Sequence, residues 1–172
     1  RPGDGGVFVL DPGGVAVRTP AERTALVDAV GALEDRYSVT VSVNGEELGA
    51  LASAVGVEGS DAERGEGVRE RAGVEAVVLH GERRAVAATR GGVVDAPNFE
   101  TASLSRFTGG GDRFSGALGF ARACGWEWEA SLRLANACAS YYVGTGLTAD
   151  REAVRSYAAD TAVLVRDGSR ND

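Results

Sequence analysis

Between Thr108 and Gly116 the chain reads Thr-Gly-Gly-Gly-Asp-Arg-Phe-Ser-Gly, and an apolar run with helical spacing follows at once. The three glycines predict a tight turn that opens a helix. The first amides of a helix have no intrahelical acceptor and lie at the positive end of its dipole, so such a turn suits an anion. Asp112 fits an ordinary helix cap, but in a phosphate-binding turn it is also placed to accept a proton from a hydroxyl nucleophile.

This turn resembles the Gly-Ala-Gly-Asp signature of the ribokinase-like, or PfkB, carbohydrate kinases. The resemblance implies that the amides of Gly109, Gly110 and Gly111 form the anion hole and that Asp112 is the catalytic base. Thr108, which directly precedes the glycines, is then expected to bind the nucleotide. The implied reaction is phosphoryl transfer from ATP to a hydroxyl group of a sugar or sugar-like molecule, with Mg²⁺ on the donor phosphates.

The composition argues against several other kinds of partner. The chain has 172 residues and a net charge of −7, and all 18 of its basic residues are Arg. Excess carboxylate repels nucleic acids and anionic membranes, so neither is an expected partner. An acidic, Lys-free composition is typical of halophilic proteins, although a GC-rich genome produces the same bias. With no long apolar segment and no signal peptide, the sequence predicts a cytoplasmic protein.

The first residues indicate a piece of a longer protein. The chain has no Met, and residues 1–6 read as a linker. In the family that it resembles, the first half carries most sugar contacts and a small β-sheet lid, and nothing here matches that half. We therefore expect residues 1–172 to be the C-terminal nucleotide-binding and catalytic portion of a PfkB-type kinase. An exposed edge of the cut sheet favours association, so a homodimer is an option.

Alternating strand and helix patterns predict an α/β fold. Apolar runs predict strands at 7–10, 38–43 and 74–79, and a hairpin around Gly91-Gly92. Helices are expected from Pro20, after Asn44, at 61–72, after the glycine turn, at 127–143 and at 150–160. This order matches a ribokinase-like three-layer α/β/α sandwich with a mostly parallel sheet and a hairpin at one edge.

Asn44 and Glu47 follow the second predicted strand, at the end where α/β sheets bind ligands. One interpretation is structural: Asn44 caps the next helix and Glu47 completes a capping box. The other follows the resemblance, because Asn-x-x-Glu matches the family motif that organises Mg²⁺ and phosphate. An all-oxygen, partly hydrated shell suits Mg²⁺. Asn44 is therefore a candidate for nucleotide and metal binding, and Glu47 for the metal.

His80 and Gly81 close the third predicted strand. Gly81 matches the first glycine of the family loop that lies along the nucleotide, whereas Arg84 replaces the second glycine of that loop. As the single His of the chain, His80 invites a catalytic interpretation. A strand-end position near the adenine, or plain solvent exposure, is favoured over a role as a general base.

The segment 133–139 resembles the helix that flanks the adenine in these kinases. Asn136 matches the position beside the base, and its spacing from Asp112 agrees with the family without a gap. The alternative is a polar helix residue that faces solvent. Cys124 and Cys138 lie in apolar runs without Cys-x-x-Cys spacing, which favours buried reduced thiols over a disulfide or a metal site.

Two other nucleotide-binding classes do not fit these residues. A Walker P-loop needs a Lys, which this chain lacks. A Rossmann turn needs Gly-x-Gly-x-x-Gly, but Gly111 is followed by Asp-Arg-Phe. The remaining alternative is a catalytically silent PfkB-like protein that binds a nucleotide or a partner. Two departures support it: Arg84, and Arg106 at a position where the family has the acid of a monovalent-cation site.

Overall fold

The computed structural model describes residues 5–101, 105 and 108–163. The strands of this part of the chain are β1 (Val7–Leu10), β2 (Ser38–Val43), β3 (Ala76–His80), β4 (Arg84–Thr89) and β5 (Gly92–Pro97). They form one sheet in the order β1-β2-β3-β4-β5. The first three strands are parallel, and β4 and β5 follow β3 as an antiparallel hairpin at the edge. The predicted α/β class and the edge hairpin are confirmed.

Helices connect and cover these strands. They are α1 (Pro20–Gly31), α2 (Gly45–Val55), α3 (Asp61–Ala72), α4 (Gly110–Ala123), α5 (Trp128–Thr145) and α6 (Arg151–Asp160), with short 3₁₀ turns at Val15–Val17 and Ala32–Asp35. None of the helices in the described ranges is long and apolar enough to cross a bilayer.

Helices cover both faces of the sheet, which gives the three predicted layers. On one face, α1, α2 and α3 pack against Val39, Val41 and Val43 of β2. On the other, α4 and α5 pack against small side chains, including Ala85 and Ala87 of β4. Because residues alternate between the faces of a strand, this division follows from the sequence pattern. Alanine on the second face allows α4 and α5 to approach the sheet closely.

A few boundaries differ from the predictions. Strand β3 begins at Ala76, two residues later than predicted, and includes His80. Helix α5 continues to Thr145, beyond the predicted end. After α6, Val163 forms an antiparallel bridge with Phe99, so the chain there does not continue the helix. Residues 1–4 of the linker predicted at 1–6, Arg106 and residues 164–172 lie outside the described residues.

Candidate active site

A cavity of about 990 Å³ lies at the carboxyl ends of the parallel strands. Each strand brings one polar residue to it: Asp11 follows β1, Asn44 follows β2 and His80 ends β3. Helices α4 and α5 contribute Gly109, Gly110, Gly111, Asp112, Phe114, Asn136, Ala139, Ser140 and Val143. The fold therefore gathers residues that are far apart in sequence at the edge where α/β sheets bind ligands.

The start of α4 has no side-chain cap. Gly109 is the N-cap residue, with a φ of 98°, and no side chain of the described residues caps the first turn. The first amides of a helix lack intrahelical acceptors, so those of Gly110 and Gly111 stay open to a ligand. Asp112 lies in the same turn, is exposed and lines the cavity. An amide cradle and a carboxylate thus meet at one end of the cavity.

A different neighbour limits the space at each glycine of the turn. A Cβ atom at Gly109 would lie 3.0 Å from the Tyr142 hydroxyl oxygen, and one at Gly110 would lie 3.2 Å from a methyl carbon of Val143. At Gly111 it would lie 3.0 Å from Cε1 of His80. The packing of α5 and β3 therefore favours glycine at all three positions, and the positive φ favours it at Gly109 as well.

The side chains of Asn44 and Glu47 cap the start of α2. Asn44 Oδ1 accepts a hydrogen bond from the Glu47 amide at 2.9 Å, and Glu47 Oε2 accepts one from the Asn44 amide at 3.0 Å. The predicted capping box is therefore present. Within the described ranges Oε1 of Glu47 has no hydrogen-bond partner, and both residues line the cavity. The box does not exclude metal binding, so the predicted Mg²⁺ role of Asn44 and Glu47 stays a prediction.

Asp11 adds a carboxylate that the sequence analysis did not assign to the site. The Ser115 hydroxyl lies 3.0 Å from Asp11 Oδ2 and 2.9 Å from the Ser42 hydroxyl, within hydrogen-bonding distance of both. Ser115 is one helical turn after Asp112, so this network links α4 to the ends of β1 and β2. Among the described residues, no group of three His, Cys, Asp or Glu side chains forms a ready metal cage.

His80 lies against the turn Gly109–Gly111, which we call the anion turn. Its ring is 5.4 Å from that of Phe114, centroid to centroid, and its Nε2 is buried without a hydrogen-bond partner among the described residues. Burial lowers the pKa of His80 below its ordinary value of 6.5, and the nearby carboxylates of Asp11, Glu47 and Asp112 oppose this shift. His80 ends β3 as predicted, and solvent exposure as its explanation is wrong. Its position near the adenine stays a prediction.

Gly81 begins a tight turn between β3 and β4. Its amide donates to the Arg84 carbonyl at 3.0 Å, and a Cβ atom there would lie 2.9 Å from the same oxygen. Asn98 secures the turn from β5, because its Nδ2 donates to the carbonyls of Gly81 and Glu82 at 2.9 and 3.0 Å. Gly81 and Asn98 both line the cavity, and Arg84 is exposed.

Asn136 does not face solvent, so that alternative is wrong. It is 2% exposed, and its Nδ2 donates to the carbonyls of Ala96 and Pro97, both at 3.0 Å. It lines the cavity from α5, with its amide nitrogen committed to the end of β5. Thr108, by contrast, is exposed and is not among the described residues that line the cavity. Nucleotide contacts of Asn136 and Thr108 stay predictions.

The family of the chain follows from a sequence comparison. A family model of prokaryotic ketohexokinases matches residues 4–161. The chain belongs to the prokaryotic ketohexokinase family. It is 32% identical to a ketohexokinase of Haloferax volcanii over 154 residues, which cover 88% of this chain and 40% of that protein.

Solved structures place this ketohexokinase-family chain among the ribokinase-like folds. It is similar to a ribokinase of Arabidopsis thaliana in complex with ribose and ATP, with a TM-score of 0.68, 24% identity and coverage of 88% of this chain and 47% of that one. A putative ribokinase II of E. coli, in complex with ATP and Mg²⁺, gives a TM-score of 0.70, 20% identity and coverage of 90% and 49%. The ribokinase-like resemblance is confirmed, although the chain spans less than half of either structure.

Asp11, Asn98 and His80 are among the cavity residues of this ketohexokinase-family chain that sequence reasoning left unassigned. Asp11 was visible only as the end of a strand, and its partner Ser115 is 104 positions away. Asn98 acts through its contact with Gly81, which no local pattern reveals. His80 could have been noticed, because it is the single His and ends a buried strand. The sequence does not, however, indicate the direction in which its side chain packs.

Proposed function

We propose that the complete protein is an ATP-dependent kinase that phosphorylates a hydroxyl group of a ketohexose. The observation that carries this proposal is the uncapped start of α4, with Asp112 in the same turn and the same cavity. Family membership supports the sugar class, because the Haloferax relative is a ketohexokinase. ATP as donor is supported by similarity in fold to kinases that were solved with ATP.

In this mechanism Asp112 accepts the proton of the attacking sugar hydroxyl. The amides of Gly110 and Gly111 donate to the transferring phosphoryl group and stabilise the charge that develops on it. These donors belong to a helix start and are fixed before the reaction, so little reorganisation is needed. Closing the cavity over both substrates would exclude water and favour transfer to the sugar over hydrolysis.

Mg²⁺ fits the oxygen donors that line the same cavity. Glu47 Oε1 has no hydrogen-bond partner among the described residues, Asp11 supplies a second carboxylate, and Asn44 lines the same cavity after β2. We assign these three residues to Mg²⁺, directly or through water, in keeping with its preference for a few carboxylates, water and phosphate oxygens. When bound, the ion neutralises charge on the donor phosphates.

The sugar itself is assigned to residues outside this chain. The chain spans 40% of the Haloferax ketohexokinase, and the described cavity gathers phosphate-binding and proton-accepting groups. We propose that residues 1–172 form the nucleotide-binding and catalytic portion, and that the isolated segment binds nucleotide without turning over. In-line positioning of the hydroxyl is required for catalysis, and this segment alone would not provide it.

An assay of the complete protein tests the proposal. ADP release is measured with ATP, Mg²⁺ and a panel of ketohexoses, aldoses, ribose and inosine, and each product is identified by mass spectrometry. The expected result is ketohexose-dependent ADP release with a sugar phosphate as product. Activity with nucleosides alone would reassign the substrate class. Nucleotide binding without transfer to any acceptor would favour the catalytically silent alternative.

A further inference from the structure

Tyr142 of α5 holds the beginning of the anion turn. The side chain is 6% exposed, and its hydroxyl donates to the Thr108 carbonyl at 3.3 Å. A Cβ atom at Gly109 would lie 3.0 Å from that hydroxyl oxygen and 3.3 Å from Cε1 of the ring. The hydroxyl therefore fixes the peptide before the turn, and the ring fills the space in which a larger N-cap residue would extend.

The same tyrosine also contacts the residue after the catalytic candidate. The Arg113 guanidinium lies over the Tyr142 ring, 4.5 Å from its centroid, and its Nε donates to the Thr148 hydroxyl at 3.0 Å. Asp112 thus lies between two points, Gly109 and Arg113, that are both in contact with Tyr142. Motion of the turn relative to α5 would disturb each of these contacts.

His80 limits the end of the turn from β3. Its Cε1 and Nε2 would lie 3.0 and 3.4 Å from a Cβ atom at Gly111, and its ring packs on Phe114 of α4. The buried Nε2 has no hydrogen-bond partner among the described residues, and an unsatisfied buried nitrogen costs stability. An apolar side chain would avoid that cost, so stability alone does not explain a histidine here.

We propose that Tyr142 and His80 are positioning residues that hold the Gly109–Gly111 turn between α5 and β3. This inference rests on the proposed function. Tyr142 is not among the described residues that line the cavity. His80 does line it, but its buried Nε2 lies against Gly111, 3.4 Å from the position of a Cβ atom there, so we assign both residues to the turn rather than to the substrates. They keep the amide donors and Asp112 aligned with the phosphoryl group, where a shift of about 1 Å can cost about 100-fold in rate.

Tyr142→Phe tests the first contact in the complete protein. The variant keeps the ring and removes only the hydrogen bond to the Thr108 carbonyl. We expect kcat to fall about three- to tenfold, which is the usual range for one hydrogen bond, while the KM values for ATP and ketohexose change less than about twofold. Tyr141→Phe is the matched control, because Tyr141 is adjacent on α5 but packs on Tyr157. An unchanged kcat in Tyr142→Phe, or an equal fall in the control, would overturn the role of Tyr142.

A double-mutant cycle tests the contact between His80 and Gly111. Gly111→Ala places a methyl group against the imidazole and should lower kcat about tenfold or more, and His80→Ala should lower it less. If the contact positions the turn, the double variant recovers at least about threefold relative to the product of the two single effects. Effects that simply multiply would overturn the role of His80.

Two measurements separate this inference from the proposed function: the kinase activity of the wild-type protein, and a double-mutant cycle of unfolding free energies. A wild type without kinase activity overturns the proposed function and the positioning role together. An active wild type with multiplicative single effects overturns only the positioning role. Urea unfolding of the same four proteins, where a coupled pair gives non-additive changes, reports the His80–Gly111 contact independently of activity.

Discussion

Helices α2 and α4 both begin at the cavity, but they differ in how their first turns are capped. Helix α2 begins with a complete capping box, in which the side chains of Asn44 and Glu47 accept hydrogen bonds from the backbone amides of Glu47 and Asn44, respectively. Helix α4 begins with Gly109 in a left-handed conformation and no side-chain cap. The box of α2 bonds the amides of Asn44 and Glu47, whereas no side chain of the described residues caps the first turn of α4. This difference supports α4, rather than α2, as the proposed anion site.

Other helices show that an uncapped start is not sufficient for a site. Capping boxes also close α1 and α3. Helix α5 likewise has no side-chain cap at Glu127, but Glu127 is not among the described residues that line the cavity. What distinguishes α4 is the combination of free amides, the carboxylate of Asp112 and a position at the carboxyl edge of the sheet.

The largest expected effect comes from Asp112→Asn in the complete protein. The amide keeps the size of the side chain but cannot take up a proton at neutral pH, so kcat should fall by about 100- to 10,000-fold. Nucleotide affinity, measured by calorimetry, should change little. Asp61→Asn, in the first turn of α3 and outside the cavity, is the control and should keep full turnover. Near-normal kcat in Asp112→Asn would reduce Asp112 to a helix cap.

The next largest fall in kcat is expected from a substitution at Gly109, the N-cap residue of α4. Gly109→Ala places a side chain at a φ of 98°, which costs about 1–3 kcal/mol, and presses it against Tyr142. Displacement of the turn should lower kcat by about 100-fold. Gly116→Ala in the same helix is the control, because a Cβ atom there meets nothing within 4 Å. The control should gain up to about 1 kcal/mol in helix stability. Equal kinetics for the two variants would contradict a special role of the turn.

The capping box of α2 gives a smaller effect that separates structure from metal binding. Asn44→Ala should cost about 1 kcal/mol of unfolding free energy, as should Ser60→Ala in the matching box of α3. Only Asn44→Ala should also raise the Mg²⁺ concentration required for half-maximal activity, by about tenfold. If both variants lose stability equally and neither changes the Mg²⁺ requirement, Asn44 is a cap alone.

The smallest expected effect is a pH dependence from His80, which lies between the two helix starts. Because burial lowers its pKa in the folded protein below 6.5, the unfolded chain binds more protons as the pH falls through and below that value. Stability should therefore be lost on acidification. In His80→Phe, without Mg²⁺ or nucleotide, less stability should be lost between pH 7.5 and 5.5. Parallel curves from urea unfolding of the two proteins would contradict this assignment.

The order of elements and both helix starts were predictable because their signals are local. The Asn44 and Glu47 spacing specifies a capping box, and three glycines before an apolar run specify an open helix start. Asn136 could have been placed inside, because it shares a helical stripe with Leu132. Contacts such as Asp11 with Ser115 depend on how α4 packs against the sheet, which no local pattern contains.

Amide hydrogen exchange at the start of α4 tests the central claim most directly. NMR on the complete protein compares Gly110, Gly111 and Asp112 with the amide of Glu63, which is already bonded in the capping box of α3. On addition of a non-hydrolysable ATP analogue, Mg²⁺ and ketohexose, exchange at the three α4 amides should slow while Glu63 stays unchanged. Unchanged exchange at α4 in protein that demonstrably binds the nucleotide would contradict the assignment of this turn as the phosphoryl site.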